Sequence, residues 1–261
     1  MNRSPSPRLR FLPFLLLSLV LLACDLPSLP FLNAQPTPAG SNRPTFINHP
    51  APPLGFNLQP FKDAGCKPDP NNVLRCPASL PPFDQIGCDE ILEASPLLGG
   101  LKGGVPLMLC VLEPDPDTTV DASNYVFNQD CTQEPYLVRY VAYVNGQFQL
   151  IKSVADLKAL FTPLTNPDEA LSYTLAATGL QALYGLKDDN MRYLTTTIED
   201  SRVQADPGGG FTLALYSYAL CGCGPHAMSY QAVRVSPQGD FQFAVPQPVW
   251  QDPTKDDVCR D

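Results

Sequence analysis

The clearest alternation of apolar and polar residues lies in the second half of the chain. Two strand-like segments, residues 137–144 and 147–151, flank the pair Asn145-Gly146. Both turn residues tolerate positive φ, so the pattern predicts a β-hairpin with a two-residue turn. Four further strands are predicted by the apolar runs at 191–204, 211–220, 227–235 and 241–245.

Two helices are predicted between these strands from the residues that begin them. Ser153 followed by Asp156 fits a capping box and predicts a short helix that ends at Phe161. The run Asn166-Pro167-Asp168-Glu169 combines a cap, a first-turn proline and acids at the positive end of the helix dipole. Gly185 is the expected stop of this second helix. Its predicted apolar face contains Leu171, Leu175, Thr178 and Ala182.

The order of elements predicts an α+β fold for residues 135–261, with an antiparallel sheet that carries two helices on one face. Residues 61–134 are rich in cysteine, proline and glycine and contain one clear apolar strand, at 105–112. We interpret them as a disulfide-rich irregular module that precedes the α+β module. We expect residues 61–261 to pack as one compact unit.

The first 23 residues have the pattern of an export signal. Arg3, Arg8 and Arg10 make a basic start, and the apolar run from Phe11 to Ala23 follows. This run is shorter than the roughly 20 residues that a transmembrane helix needs. A short apolar core behind a basic start is typical of a secretory signal.

The apolar run ends in Leu21-Leu22-Ala23-Cys24, which resembles the lipobox of bacterial lipoproteins. The resemblance implies that a type II signal peptide, residues 1–23, is removed before Cys24. It also implies that the Cys24 thiol receives a diacylglyceryl group and its new amine an acyl chain such as palmitate. The protein would then be lipid-anchored to the cell membrane on its extracytoplasmic face. The alternative is an ordinary secretory signal followed by a chance cysteine. The mature domain resembles no named family.

Residues 24–60 are predicted to be the lipidated cysteine and a proline-rich tether. Residues 25–60 contain nine prolines and only two charged residues, Asp25 and Arg43. Proline is excluded from helix interiors and central strands, so the segment is typical of an extended, polyproline-like linker. We expect it to hold the folded body clear of the membrane. Docking of its proline motifs to a partner is the alternative, and Phe46, Phe56 and Leu58 suggest that its last part lies on the domain.

The charge of the chain limits its partners. The formal net charge is −9, which gives a nucleic-acid-binding role no electrostatic basis. Without the three arginines of the signal, 14 basic residues stand against 26 acidic ones, a net charge of −12. Anionic lipid headgroups would repel such a body. The expected partners are the membrane, through the lipid on Cys24, and a protein or glycan that the sequence does not identify.

Eight cysteines remain after the predicted anchor: Cys66, Cys76, Cys88, Cys110, Cys131, Cys221, Cys223 and Cys259. An even number in an exported chain predicts disulfides. Cys66–Cys76 is a local pair around a turn sequence. Cys110 is expected to pair with Cys88 or with Cys131. Cys259 is expected to pin the C-terminal tail to Cys221 or Cys223.

The sharpest candidate for chemistry is Cys221-Gly-Cys-Gly-Pro-His226. The preferred interpretation is a tight turn whose two cysteines have separate disulfide partners. One alternative is a strained, redox-active bond between Cys221 and Cys223. Another is a soft-metal site made of Cys221, Cys223 and His226.

Hydrolase chemistry has weaker support. The chain has no Gly-x-Ser-x-Gly elbow, and a pair of catalytic carboxylates would be set by the fold rather than by sequence spacing. Five tyrosines lie on predicted strands. They are expected either to fill the core or to form an exposed face that binds a sugar or a protein partner. These tyrosines are Tyr140, Tyr143, Tyr216, Tyr218 and Tyr230. We therefore predict a lipid-anchored, non-enzymatic binding or envelope-structural domain without a cofactor. The alternatives are a redox or metal-handling protein and a cell-envelope hydrolase.

Overall fold

The computed structural model describes residues 43–115, 118–129, 136–219 and 221–260, and all of these belong to one compact unit. The predicted signal peptide, Cys24 and Cys131 lie outside the described residues. The α-helices in this part of the chain are Gln59–Asp63 (α1), Val154–Phe161 (α2) and Pro167–Thr178 (α3). The first eight strands are Thr45–Ile47 (β1), Lys67–Pro68 (β2), Leu74–Cys76 (β3), Glu90–Glu93 (β4), Leu107–Leu112 (β5), Phe127–Asn128 (β6), Leu137–Val144 (β7) and Gln147–Ile151 (β8). The later strands are Arg192–Tyr193 (β9), Thr197–Glu199 (β10), Arg202–Ala205 (β11), Phe211–Tyr218 (β12), Gly222–Cys223 (β13), Ala227–Val235 (β14), Phe241–Phe243 (β15), Gln247–Gln251 (β16) and Cys259–Arg260 (β17).

The first sheet combines strands from both halves of the chain. Its order is β2-β3-β4-β5-β7-β6, with β8 also paired to β7, and every pairing is antiparallel. Strand β5 pairs with β7 along its whole length, from Leu107 opposite Ala142 to Leu112 opposite Leu137. The cysteine-rich segment therefore supplies strands to the same sheet as the predicted hairpin.

The second sheet is built from later strands, in the order β11-β12-β14-β16-β9, with β15 also paired to β14. Its longest pairing joins β12 to β14, from Phe211 opposite Val235 to Tyr218 opposite Met228. The predicted α+β class with antiparallel pairing is confirmed. However, the strands of residues 135–261 are divided between these two sheets and two short pairings, in which β10 pairs with β1 and β13 pairs with β17. The apolar β5, buried on both sides, provides a better partner for β7 than the distant strands after α3, and local periodicity does not encode that choice.

Helix α3 lies in the main hydrophobic core and contacts both sheets. Its residues 169–177 are all buried. The Tyr140 hydroxyl of β7 donates a hydrogen bond to the Ala176 carbonyl at 2.9 Å. The Tyr173 ring stacks on Phe241 of β15 with a centroid distance of 5.6 Å. Because strands of both sheets pack against α3, the helix is buried on all sides, whereas the sequence pattern indicated a single apolar face.

Both predicted helix starts are confirmed. The Ser153 and Asn166 side chains accept hydrogen bonds from the backbone N–H groups three residues later. Helix α3 ends at Thr178, before the expected stop at Gly185. Gly179 adopts a left-handed φ of 70°, and a Cβ there would lie 2.6 Å from the Phe127 ring. Backbone conformation and close packing both require glycine at this position.

The opposite face of the first sheet carries a second, smaller core. Phe61 of α1 contacts Phe83 and Phe148 there, and Met108 and Val141 of the sheet are fully buried in it. Two disulfides border this core, and they join Cys66 to Cys76 and Cys88 to Cys110. Cover on both faces explains why β5 is an unbroken apolar run.

The described part of the predicted tether, residues 43–60, lies on the folded domain. Strand β1 pairs in parallel with β10, and Leu54 and Phe56 pack against the main core. The backbones of Gly55 and Gly99 approach so closely that a Cβ on Gly99 would lie 2.4 Å from Gly55 atoms. The boundary predicted at residue 60 therefore does not separate the tether from the fold.

Candidate functional site

The cysteines of the predicted Cys-Gly-Cys-Gly-Pro-His site have structural partners. Cys223 forms a disulfide with Cys259 across the paired strands β13 and β17, which is one of the two pairings expected for the tail. Cys221 is also disulfide-bonded. The bond between Cys221 and Cys223 that a redox site requires is not formed, because the Cys223 sulfur is bonded to Cys259. For the same reason Cys223 offers no thiolate to a metal.

His226 is buried and its ring is held by backbone carbonyl oxygens. Its Nδ1 lies 3.1 Å from the Ala219 oxygen and its Nε2 lies 2.8 Å from the Val258 oxygen. The imidazole thus fastens the C-terminal tail to the start of β14. Within the described ranges, no group of three or more His, Cys, Asp or Glu side chains is placed to hold a metal ion.

Asp200 is a fully buried carboxylate that fixes the N-terminal segment. Its two oxygens accept hydrogen bonds from the Asn48 side chain and from the backbone amides of His49, Gly185 and Leu186, at 2.8–3.1 Å. Burial alone would raise the pKa of the Asp200 carboxyl. The four hydrogen bonds outweigh burial, so the pKa is lowered. This side chain therefore has a structural role.

A cleft of about 500 Å³ opens where α3 ends. It is bounded by the end of β6, the start of β7, the turn after α3 and the end of β12. Its lining is Asn128, Gln129, Tyr136, Thr178, Gly179, Leu180, Gln181, Ser217 and Tyr218. The described residues of this lining supply amides, hydroxyls and aromatic rings, and none of them is Asp, Glu, Lys, Arg or His. Its volume is in the range of small-molecule sites.

Several polar groups line this cleft without a side-chain partner among the described residues. They are the side-chain amides of Gln129 and Gln181 and the hydroxyls of Ser217 and Tyr218. The Gln181 backbone is fixed by two hydrogen bonds with Tyr216. Its side chain is therefore displayed at the cleft from a rigid backbone.

The two phenols in the lining are uncharged near neutral pH. Burial, followed by the negative charges of Glu90 and Glu113, raises the pKa of Tyr136. Burial and the nearby Asp252 raise the pKa of Tyr218. Both hydroxyls keep their protons and remain able to donate hydrogen bonds.

A smaller pocket of about 300 Å³ adjoins the cleft, since Gln129, Gly179, Leu180 and Gln181 line both. Its remaining lining is mostly apolar: Ser95, Leu97, Leu98, Leu109, Phe127, Tyr140, Leu175, Ala182 and Leu183. The Tyr140 hydroxyl is already bonded to the Ala176 carbonyl. We refer to the polar space as the outer cleft and to the apolar one as the inner pocket.

A separate cleft of about 520 Å³ lies beside β3 and β4 and contains the neighbouring carboxylates Asp89 and Glu90. The Arg75 guanidinium lies 3.2 Å from Glu90. The Asp89 carboxylate accepts a hydrogen bond from the Glu113 amide at 2.8 Å. Both carboxylates therefore have partners in the protein.

Of the five tyrosines considered for a binding face, Tyr218 lines the outer cleft. Tyr140 and Tyr216 are buried, Tyr143 packs on Phe148, and Tyr230 packs on Tyr216. Sequence reasoning missed Gln129, Gln181 and Ser217. Isolated polar residues beside strand and helix ends carry no local signal, and only the pairing of distant segments brings them together.

Comparisons with known proteins do not extend this description. No family model, no curated protein and no solved structure matches the chain. Among the residues described, no helix has the length and apolar character needed to cross a membrane.

Proposed function

We propose that this chain is a lipid-anchored, extracytoplasmic binding domain whose outer cleft holds an uncharged, hydrogen-bonding ligand. The observation that carries the binding role is the lining of that cleft. It combines amide and hydroxyl groups with two neutral phenols, and no ionised side chain stands among the lining residues that the structure describes. Such a surface favours neutral ligands over anionic ones, because an anion would lose hydration without gaining a positive partner among the described lining residues.

The anchor proposal rests on the lipobox and its distance from the fold. Eighteen residues, 25–42, separate Cys24 from Arg43, the first described residue. If extended, they span roughly 56 Å at about 3.1 Å per residue. An N-terminal diacyl or triacyl anchor would retain the protein without a transmembrane helix, because two buried chains suffice for stable attachment.

The binding role is tested with the mature chain carrying Cys24→Ser and exported through a cleavable signal into an oxidising compartment. Thermal shifts are measured with neutral oligosaccharides and with matched uronic acids and amino sugars. We expect a neutral sugar to stabilise the protein, and Gln181→Ala to weaken its binding about tenfold through lost hydrogen bonds. Gln204→Ala, an exposed change on β11, is the matched control. Equal binding of charged sugars, or no binding of neutral ones, would refute the proposal.

The anchor is tested separately in the native cell. Intact mass measurement of the membrane-extracted protein should show residues 1–23 removed and acyl groups added. The Cys24→Ser variant should leave the membrane fraction. Retention of that variant in the membrane would contradict the anchor without affecting the binding proposal.

A further inference from the structure

We propose that the outer cleft and the inner pocket form one amphiphile site, which takes a neutral glycoside with its sugar outside and an aliphatic chain inside. This inference rests on the binding role proposed above and specifies its ligand class. The outer cleft and the inner pocket share one wall. Gln129 and Gln181 lie at the junction with Gly179 and Leu180, so a ligand in one space directly meets the other.

The junction arranges polar and apolar groups in the order that an amphiphile needs. Gln181, exposed at the chain turn, offers an amide that both donates and accepts hydrogen bonds. Leu180, one residue earlier, lines both spaces and begins the apolar wall. Amide groups suit the hydroxyls of a sugar, and the Tyr136 and Tyr218 rings provide faces for its C–H groups.

The inner pocket is mostly apolar. Its polar lining groups are the Gln129 and Gln181 amides at the junction, the Tyr140 hydroxyl, which donates to the Ala176 carbonyl, and the Ser95 hydroxyl, which accepts from the Leu97 amide. Its volume of about 300 Å³ is roughly twice that of an engineered apolar cavity of about 150 Å³ that binds benzene. A chain of roughly six to twelve carbons therefore fits by volume.

The rigid frame around the junction supports a preformed site. Gly179 is held against the Phe127 ring, and the Gln181 and Tyr216 backbones are bonded in both directions at 2.8 and 2.9 Å. A ligand would not have to order this turn on binding, which preserves affinity.

The test is calorimetric titration of methyl, butyl, hexyl and octyl glucosides, each below its critical micelle concentration, into the mature Cys24→Ser chain. We expect affinity to rise by about two- to fourfold per added methylene group until the pocket is filled. Alkyl sulfates with the same chains should bind far more weakly, because the described lining of the outer cleft offers their negative charge no positive partner. Affinity independent of chain length, or alkyl sulfates that bind as well as glucosides, would overturn the proposal.

Two variants locate the effect. Ala182→Phe fills the inner pocket and should remove the dependence on chain length, whereas Ala205→Phe, an exposed change on β11, should keep it. Gln181→Ala should weaken every glucoside by a similar factor. Far-UV circular dichroism and melting temperature establish that each variant is folded, and the comparison of glucosides with sulfates uses the unaltered cleft in any case. A folded Ala182→Phe protein that retains the full chain-length dependence would overturn the proposal.

The two proposals fail in different ways. If neutral sugars bind but the alkyl chain adds nothing, the amphiphile site is wrong and the binding role stands. If no neutral sugar or glucoside binds, both are wrong.

Discussion

We expect Asp200→Asn to lower the free energy of unfolding strongly, although it hardly changes the shape of the side chain. One oxygen of the Asp200 carboxylate accepts from the Asn48 side chain and the Leu186 amide, and the other accepts from the His49 and Gly185 amides. In the asparagine variant, one of these oxygens becomes an NH₂ group that faces two donors. Two hydrogen bonds are then lost and their donors are left without acceptors.

The magnitude follows from these two bonds. Hydrogen bonds to a charged group contribute about 1.5–3 kcal/mol each, so we expect the free energy of unfolding to fall by about 3–6 kcal/mol. Urea unfolding with all disulfides intact measures this quantity. Hydrogen exchange should show lost protection at the Leu186 amide if the first oxygen is replaced, or at the His49 and Gly185 amides if the second is, because those amides lose their acceptor.

The pH dependence has a defined sign. The folded-state pKa of Asp200 is lowered, so its stabilisation is present above the unfolded-state pKa of about 3.9 and is lost as the pH falls through the folded value. The difference in the free energy of unfolding between the native protein and the Asp200→Asn variant should therefore be largest at pH 7 and should decrease below about pH 4. Asp121→Asn is the control, since Asp121 is an exposed cap of a short 3₁₀ turn and its change should cost less than about 0.5 kcal/mol. A loss below about 1 kcal/mol for Asp200→Asn, or a difference in stability that persists unchanged at low pH, would show that these hydrogen bonds do not stabilise the fold as described.

Three further changes test other parts of the fold by urea unfolding. Replacement of Cys223 and Cys259 by alanine opens a loop with a sequence separation of 36 and should cost about 3–4 kcal/mol; an unchanged midpoint would contradict the structural role of this bond. Gly179→Ala should cost about 2 kcal/mol or more, because its φ is positive and its Cβ would meet the Phe127 ring; a neutral effect would mean that the turn after α3 is not as described. Asn166→Ala removes the cap of α3 and should cost about 1 kcal/mol, with Asn166→Ser close to native stability.

Local signals in the sequence predicted the parts of the fold that depend on neighbouring residues. The hairpin at Asn145-Gly146 has positive φ at both turn positions, and Ser153 and Asn166 cap their helices as expected. The pair Cys66–Cys76 also follows from short separation. In each case the interacting residues are close along the chain, so the physical cause is visible in the pattern.

Pairing between segments that are distant in the sequence determined the sheet topology and the outer cleft. Nothing in the apolar run of β5 specifies β7 as its neighbour, yet that pairing joins the two predicted modules in one sheet. The predicted strand at 191–204 is instead three short strands. The break between β10 and β11 falls at Asp200 and Ser201, which are buried polar residues that bind other segments. The outer cleft arises in the same way, from the meeting of Gln129 and Gln181, which are distant in sequence.

The central claim is that the outer cleft binds a neutral ligand, and the most direct test is an NMR titration of the mature Cys24→Ser chain with octyl glucoside below its critical micelle concentration. We predict saturable shifts at the side-chain amides of Gln129 and Gln181, with smaller changes elsewhere. Non-saturating shifts centred on the exposed apolar residues Phe243 and Val245, with the two glutamines unmoved, would contradict the claim.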